Sequence, residues 1–330
     1  MRPNLFQFAT SELSQDAVLC WLAAWGGPGA SEHDQLLHRL GQSFLSAAFA
    51  KHDRQMPSAI NSIEPRRQYK NIDVLIIING KIYLCIEDKV GTNEHSGQLQ
   101  RYISGLKDEG VSEDCIVPVY IQTGEQSNYR AVRAAGYAIM RRREIIKLLG
   151  EYLEQGGFDS IVRDFHDHLA DIETKVEAFR NRPLAEWDKD KNGYAWQGFY
   201  SELQHMIGDG DWGYVANPSG GFIGYWWHSR RDQESEQYLQ LEQERLCFKI
   251  SVENAIKDEN LPERWWVRIQ AAARDRNFAV TKSRFRRGQT MTVAFSDEYR
   301  VMNSQGFLDL DATVSVLRNA ADVLDRACTS

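Results

Sequence analysis

Apolar residues recur at helical spacing in the first fifty positions of the chain. The segment 11–25 carries one apolar stripe, and the run GGPG directly after it favours a helix end. The members of this first stripe are Leu13, Ala17, Cys20, Leu22 and Trp25. A second stripe lies within the segment from about 33 to 49. Its members are Leu36, Leu37, Leu40, Phe44 and Leu45. We therefore predict two helices that pack together.

The next segment is polar and then changes to β-type patterning. Residues 51–70 are interrupted by Pro57 and Pro65, which predicts a loop with a short edge strand at about 59–64. Two β-branched runs follow, NIDVLIIING and KIYLCIEDKV, and the Asn-Gly pair between them is a strong hairpin signal. Beyond the hairpin we predict a helix at 94–106, a strand at 115–123, a strand at 137–140 and a helix at 143–155.

The later half of the chain has its own pattern of elements. Polar residues at 179–193 indicate a linker, so we predict two domains with the bounds 1–178 and 179–330. The second domain is predicted to contain helices at 196–207, at 262–275 and from about 310, and strands at 220–228, 236–243, 244–252, 278–281 and 290–295. This is an α+β pattern. The aromatic residues Tyr225, Trp226 and Trp227 indicate a core strand rather than a base-stacking surface.

Composition narrows the class of protein. With 330 residues, 42% of them hydrophobic and 26% charged, the chain is typical of a globular protein of two domains. No run approaches the roughly 18 apolar residues of a membrane helix, and the N-terminus lacks a secretory signal, so we expect no membrane association and a cytoplasmic location. Five scattered cysteines without a C-x-x-C pair argue against a disulfide framework and a zinc ribbon.

The net charge of −7 disfavours a nucleic-acid partner, because neutralising phosphates requires clustered lysine and arginine. The basic residues are nevertheless unevenly distributed. They cluster as Arg66, Arg67 and Lys70, as Arg141, Arg142 and Arg143, and as Arg284, Arg286 and Arg287. We expect a local basic groove, with Arg66, Arg67, Lys70, Arg141 and Arg142 as phosphate contacts.

Charged residues at the ends of the hairpin strands carry the candidate chemistry. Asp73 heads a strand that is otherwise apolar, where an unpaired charge is costly. Glu87 and Lys89 end the partner strand and share one face, while Asp88 points to the other. Two carboxylates suit Mg²⁺, and a neighbouring ammonium suits an attacking water and a charged phosphate. The alternative is a structural salt bridge at the end of the sheet.

The hairpin must meet a geometric condition if these carboxylates are to share a metal. With a two-residue turn, Asp73 would lie opposite Ile86, and Glu87 would then point to the other face. A three-residue loop, either 78–80 or 79–81, restores both carboxylates to one face, as does a single bulge. We therefore predict an irregular hairpin with an odd loop or a bulge between Asp73 and Glu87.

The series Asp73, Glu87-Asp88-Lys89 and Gln98-Leu99-x-x-Tyr102 resembles the PD-(D/E)XK nuclease superfamily, in particular bacterial and phage members with D, E-x-K and QLxxY motifs. The departure is Ile72, which stands where the signature has proline. The resemblance implies a restriction-endonuclease-like αβββαβ core. It also implies Mg²⁺ or Mn²⁺ ligation by Asp73, Glu87 and the main chain of Asp88, with Lys89 supporting the water.

The resemblance implies roles for further residues as well. Gln98 is expected to line the active site, with Tyr102 on the same helix face; ordinary packing is the alternative for both. Glu12 resembles the glutamate that some members bring from the first helix, although an acidic residue is also favourable there through the helix dipole.

These features lead to one main hypothesis about function and two alternatives. The main hypothesis is a Mg²⁺-dependent nuclease that acts on DNA, in phage defence or DNA processing. The alternatives are a non-catalytic nucleic-acid-binding or assembly subunit with the same fold, and an RNA-cleaving toxin or defence nuclease. The second domain is expected to recognise substrate or partner, including a partner protein or a second copy of the chain.

Overall fold

The computed structural model describes residues 2–91, 97–187, 189, 193–217, 220–252, 260–285 and 288–329. The chain divides into two compact units, Met1–Thr174 and Lys175–Ser330. This division falls four residues before the predicted boundary at 178. Among the described residues, no helix combines the length and the apolar character needed to cross a lipid bilayer.

The N-terminal unit contains six α-helices and five strands in its described part. The helices are α1 (Glu12–Trp25), α2 (Gln35–Ala50), α3 (Gln98–Asp108), α4 (Arg130–Ala134), α5 (Arg142–Glu154) and α6 (Ser160–Val176). The strands are β1 (Ile63–Tyr69), β2 (Ile72–Ile78), β3 (Ile82–Lys89), β4 (Ile116–Gln122) and β5 (Ala138–Arg141). The side chain of Asp34 caps α2 by accepting hydrogen bonds from the amides of Leu36 and Leu37, so this helix begins at Gln35, two residues after the predicted start.

The five strands form one mixed sheet in the order β1-β2-β3-β4-β5. The first three pair antiparallel, and β3, β4 and β5 pair parallel. Alternate strand residues bury against α1, α2, α5 and α6 on one face, and against α3 and α4 on the other. The αβββαβ core with helices on both faces confirms the predicted fold class.

The first strand was placed wrongly by the sequence. It covers Ile63–Tyr69 rather than 59–64, and it includes Pro65. The proline is compatible with this position because β1 is an edge strand, where a missing amide donor leaves no partner strand unsatisfied. The helix expected from 94 begins at Gln98, and residues 94–96 of that prediction lie outside the described residues.

The C-terminal unit has an antiparallel sheet of six strands in the described residues, in the order β10-β11-β9-β8-β7-β6. Its strands are β6 (Asp211–Val215), β7 (Phe222–Arg231), β8 (Glu236–Glu242), β9 (Arg245–Ser251), β10 (Thr281–Lys282) and β11 (Thr290–Asp297). Its helices are α7 (Ala178–Asn181), α8 (Leu184–Trp187), α9 (Tyr194–Ile207), α10 (Leu261–Asp275) and α11 (Leu310–Thr329). The α+β class is therefore correct for this unit.

Three details of the C-terminal prediction were wrong. The short helices α7 and α8 lie in the segment interpreted as a linker, β6 was not predicted, and β10 is shorter and later than the strand expected at 278–281. Tyr225 and Trp227 are buried in the core, which confirms their predicted structural role, whereas Trp226 is half-buried. Short helices and strands of this kind carry too few residues for a periodic signal.

Candidate active site

The loop of the β2–β3 hairpin has three residues. Val74 lies opposite Ile86 and Ile78 lies opposite Ile82, which leaves residues 79–81 as the connection. Asn79 and Gly80 have φ angles of 55° and 64°, in the left-handed region that asparagine and glycine adopt most readily. The predicted odd loop is confirmed. Continued by one step, this register places Asp73 opposite Glu87, so both carboxylates are on the α3 face of the sheet.

The ammonium of Lys89 is the centre of the cluster. Its Nζ atom lies 2.7 Å from Oε1 of Glu87, 3.3 Å from Oδ2 of Asp73 and 3.0 Å from the main-chain oxygen of Asp88. Glu12 approaches from α1, with Oε2 at 3.8 Å from the same ammonium. The structure thus brings together Asp73, Glu87, Lys89 and Glu12, which the sequence placed on three separate elements.

Hydrogen bonds from neighbouring residues hold the two carboxylates in place. Oδ2 of Asp73 accepts a hydrogen bond from the amide of Asp88 at 3.0 Å, and Oδ1 accepts one from Nε2 of Gln68 at 3.1 Å. Oε1 of Glu87 accepts a hydrogen bond from Nε2 of Gln98 at 2.7 Å. Tyr102, one turn further along α3, is hydrogen-bonded to Gln98. The expected QLxxY residues therefore face the hairpin end.

The opposite face of β3 has a polar network that the sequence did not predict. Asp88 accepts a hydrogen bond from Gln15, and Oε1 of Gln15 accepts one from the hydroxyl of Thr123 at 2.9 Å. Asp16 is also buried and links to the site, because its Oδ2 atom accepts a hydrogen bond at 3.0 Å from the same Nε2 atom of Gln68 that donates to Asp73. This network fixes the end of β3 from behind.

The buried face of α1 accordingly differs from the predicted stripe. Leu13 and Ala17 are exposed, whereas Gln15 and Asp16 are buried. The predicted buried face of α1 is therefore rotated by about one residue from the observed face. An apolar pattern leaves out polar residues that bury against the strand ends. One signal was present: Glu12 and Asp16 are one turn apart and therefore share a helix face.

Burial is the largest cause of the pKa shifts of the carboxyl groups in this cluster. Burial, together with the charge of Asp73, raises the pKa of Glu87 from 4.5 to about 8. Burial likewise raises the pKa of Asp16 to about 6 and that of Asp88 well above its ordinary value. For Lys89, burial favours the neutral form, but the hydrogen bond and charge of Glu87 outweigh it and raise the pKa. Glu87 therefore ionises at a higher pH than an exposed glutamate, while Lys89 remains an ammonium at neutral pH.

The donor set fits a hard divalent cation. The ammonium of Lys89 contacts each of the three oxygens on which the resemblance places the metal, and Oε2 of Glu87 is buried with no hydrogen-bond partner among the described residues. The ammonium of Lys89 already places a positive charge between these oxygens. Oε2 of Glu87 still lacks a hydrogen-bond partner in the described part of the chain. Among the described residues, no three histidine, cysteine, aspartate or glutamate side chains are placed to hold a metal ion together. Asp73 and Glu87 would be the two side-chain ligands, a number that suits Mg²⁺ with several waters retained.

Four of the five predicted phosphate contacts lie near the surface, and the fifth, Arg142, is buried. Arg66 pairs with Glu64, Lys70 pairs with Glu109, and Arg67 donates to the main-chain oxygen of Leu13 at 3.3 Å. These side chains lie near the surface, as does Arg141, whose guanidinium stacks on the ring of Tyr129 at 5.1 Å. Arg284 is exposed, and Arg286 and Arg287 lie outside the described residues.

Arg142 requires a correction. It is 3% exposed, and its guanidinium binds Glu125 and Glu173 at 2.6 and 2.7 Å and the main-chain oxygen of Thr123 at 2.7 Å. A phosphate contact needs an accessible donor, which this buried and fully engaged group does not offer. Arg142 is a structural residue that fixes the chain after β4.

Gly124 lies in the same segment after β4, and its substitution is expected to disturb the site. A Cβ atom at this position would be 1.7 Å from the main-chain oxygen of Val90, the residue directly after Lys89. We expect Gly124→Ala to lower the free energy of unfolding by about 1–3 kcal/mol, because the backbone around Val90 must shift. Urea unfolding measures the loss. The matched control is Gly105→Ala in α3, where the Cβ would meet open space and alanine should stabilise the helix by about 0.5–1 kcal/mol. Equal stabilities of the two variants would contradict this packing.

Comparison with known proteins gives one result that agrees with this geometry. The sequence model of the PD-(D/E)XK nuclease superfamily matches residues 38–182, a segment that includes Asp73, Glu87, Lys89 and Gln98 but not Glu12. No curated protein and no solved structure matches the chain significantly. The match covers most of the N-terminal unit and less than half of the chain. The match assigns residues 38–182, most of which lie in the N-terminal unit, to the PD-(D/E)XK nuclease superfamily.

Proposed function

We propose that the chain is a Mg²⁺- or Mn²⁺-dependent nuclease that hydrolyses phosphodiester bonds of DNA. The observation that carries the proposal is the convergence of Asp73, Glu87 and the main-chain oxygen of Asp88 on a single ammonium, that of Lys89, at one end of the sheet. A purely structural ion pair would not need a second buried carboxylate whose free oxygen lacks a partner.

Each residue has a distinct task in this proposal. Asp73, Glu87 and the Asp88 carbonyl hold the metal ion, and Gln98 fixes the orientation of the Glu87 carboxylate. The bound metal would polarise a phosphate oxygen and favour ionisation of water. Because its pKa is raised, Lys89 keeps its proton, so it donates hydrogen bonds to the attacking water and to the phosphate.

Hydrolysis adds the oxygen of water to phosphorus and breaks the bond between phosphorus and the leaving sugar oxygen. The attacking water gives up one proton and the leaving oxygen takes one up, which yields a hydroxyl and a phosphate monoester. Lys89 is placed to offset the negative charge that develops on the phosphate, since its ammonium is buried and poorly screened.

The test is cleavage of linear, circular and single-stranded DNA and of RNA with Mg²⁺ and Mn²⁺, with Lys89→Ala as the control. Metal-dependent DNA cleavage that is lost in Lys89→Ala supports the proposal. Cleavage of RNA alone would favour the RNA-directed alternative, and nucleic-acid binding without cleavage would favour a non-catalytic subunit. Equal cleavage by wild type and Lys89→Ala would overturn the assignment of the site.

The setting of this activity is part of the same proposal. We place it in the cytoplasm, in DNA processing or in defence against phage DNA. The C-terminal unit would then contribute recognition of substrate or of a partner protein, which includes a second copy of the chain. Deletion of residues 179–330 should leave metal binding intact if that unit acts only in recognition, and calorimetry with Mn²⁺ measures this.

Phosphate contacts at Arg66, Arg67, Lys70 and Arg141 would compensate for the net charge of −7. Exposed ion pairs contribute roughly 0–1 kcal/mol, so the pairs of Arg66 and Lys70 can exchange for phosphate at little cost. We expect Arg141→Glu to weaken DNA binding and to reduce the salt dependence of the binding constant by about one contact. Fluorescence anisotropy at several salt concentrations measures both effects.

The matched control for this charge reversal is Lys147→Glu. Lys147 lies on α5 close to Arg141 in sequence, is exposed and pairs with Glu151. The change in net charge is the same, so a specific contact predicts a larger loss for Arg141→Glu. If both variants bind DNA as tightly as the wild type, the groove lies elsewhere, and Arg284 becomes the next position to test.

A further inference from the structure

Gln122, the last residue of β4, is a buried polar residue. It is 1% exposed, and neither its amide oxygen nor its amide nitrogen has a hydrogen-bond partner among the described residues. In the described N-terminal unit, the other such buried side-chain atoms belong to Asp16, Glu87 and Asp88. Those three are carboxyl groups of the acidic cluster itself, whereas Gln122 carries a neutral amide, and an unsatisfied buried amide weakens the fold.

The strand register places Gln122 beside the catalytic lysine. Lys89, Gln122 and Arg141 are direct neighbours across the parallel strands β3, β4 and β5, so their side chains share one face. Tyr120, two residues before Gln122, buries on the α3 face, which is also the face of Glu87. Of the two neighbours in this row, Arg141 is exposed and stacks on Tyr129, whereas Lys89 is buried and has a four-carbon side chain with several rotatable bonds.

The ammonium of Lys89 has three N–H donors and three acceptors within 3.3 Å, so it has none left for Gln122. Two of those acceptors belong to Asp73 and Glu87, and the third is the Asp88 carbonyl. All three are the oxygens proposed to hold the divalent cation. Lys89 cannot keep these contacts once the cation is bound, and a buried ammonium then needs another acceptor.

We propose that Gln122 is a positioning residue whose amide oxygen receives the Lys89 ammonium when a divalent cation binds Asp73 and Glu87. This inference rests on the proposed function. The proposal explains why an amide without a partner lies beside the lysine. Its oxygen accepts no hydrogen bond in the metal-free protein and accepts one from Lys89 when the metal is bound. Lys89 then remains next to the reacting phosphate, as a catalytic residue must, instead of moving into solvent.

The test uses Gln122→Met, which keeps the length and shape of the side chain but removes the acceptor. Without that acceptor Lys89 stays on the carboxylates and competes with metal, so Mn²⁺ affinity should fall about tenfold or more. In a Lys89→Met background the same substitution should change Mn²⁺ affinity by less than about twofold, because the competing ammonium is absent. Isothermal titration calorimetry of the four full-length proteins gives both values.

Two further readouts separate positioning from a structural role. The metal-free Gln122→Met protein should melt at the wild-type temperature or above, since it loses an unsatisfied amide. At saturating Mn²⁺, kcat should fall while KM for DNA is unchanged. Gln122→Leu provides a second apolar side chain, so that the conclusion does not depend on the fit of methionine.

Several results would overturn the inference. Unchanged Mn²⁺ affinity in both Gln122 variants, or an equal loss of affinity in the Lys89→Met background, would show that Gln122 does not act through the lysine. Lower melting temperatures of both metal-free variants would make Gln122 a structural residue. Failure of wild type to bind Mn²⁺ would contradict the proposed function itself, whereas Mn²⁺ binding that ignores Gln122 would contradict only this inference.

Discussion

Glu87→Gln is expected to reduce cleavage by at least about 10³-fold, since removing a metal ligand forfeits several kcal/mol of transition-state stabilisation. Its Mn²⁺ affinity should fall with the activity. The metal-free variant should nevertheless be at least as stable as wild type, because glutamine replaces a buried carboxyl group whose pKa is raised to about 8. Cleavage rates, calorimetry with Mn²⁺ and thermal denaturation in a chelator measure the three effects.

Asp88→Asn is the matched control for this substitution. Asp88 is one residue away, equally buried, and its pKa is also raised by burial, but its side chain points to the opposite face and bonds Gln15. Only its main-chain oxygen is assigned to the metal, and asparagine keeps that oxygen. Asp88→Asn should therefore bind Mn²⁺ within a few-fold of wild type. Equal losses of affinity in both variants would mean that general damage to β3, not ligand removal, explains the result.

Substitutions of Asp73 and Lys89 should separate metal binding from cleavage. Asp73→Asn should lose both Mn²⁺ affinity and cleavage, as Glu87→Gln does. Lys89→Met should lose cleavage but bind Mn²⁺ at least as tightly as wild type, because the ammonium that contacts both carboxylates is removed. Weaker Mn²⁺ binding by Lys89→Met would show that the lysine does not compete for these oxygens.

Stability and metal affinity are expected to depend on pH in opposite directions. Between pH 4.5 and about 8 the folded protein holds a proton on Glu87 that the unfolded chain releases. The metal-free protein should therefore lose stability as pH rises through this window. Asp16, with its pKa raised to about 6, adds a loss in the same direction at the lower end of the window. Thermal denaturation in chelator from pH 5 to 8.5 measures the slope.

Metal binding requires the deprotonated carboxylate, so Mn²⁺ affinity should rise with pH up to about pH 8, by at most about tenfold per unit from Glu87. Calorimetry in buffers of different ionisation enthalpy should detect about one proton released at pH 7. Glu87→Gln should flatten the stability profile above pH 6, which assigns the slope to this residue. A metal-free stability that rises between pH 6 and 8 would contradict the protonated state of Glu87.

Much of this site could be predicted because its residues follow strong local patterns. Asp73 and Glu87 are charges at the ends of β-branched runs, and the condition that they share a face was enough to predict an odd hairpin loop. Gln98 and Tyr102 are four residues apart in a predicted helix and therefore share one of its faces. These features depend on neighbours in sequence or on one strand pairing, and both leave a periodic signal.

The residues that the sequence did not identify depend on contacts between distant segments. Gln15 bonds Asp88 across 73 positions, and Arg142 reaches Glu173 across 31, so neither pairing leaves a local pattern. Gln122 ends an apolar strand as an ordinary polar residue, and only its register with Lys89 gives it meaning. The same limit explains the wrong assignment of Arg142, which lies in a basic run but packs inward.

The three-residue loop of the hairpin has a consequence for how this gene can change. If the connection kept its length of three residues, loss of a single codon between Ile78 and Ile82 would shift the strand pairing by one residue and turn Asp73 away from Glu87, whereas loss of two codons would not. Insertions follow the same rule. Length variation at this turn among descendants of the gene is thus filtered by whether the number of residues gained or lost is odd or even, rather than by its size.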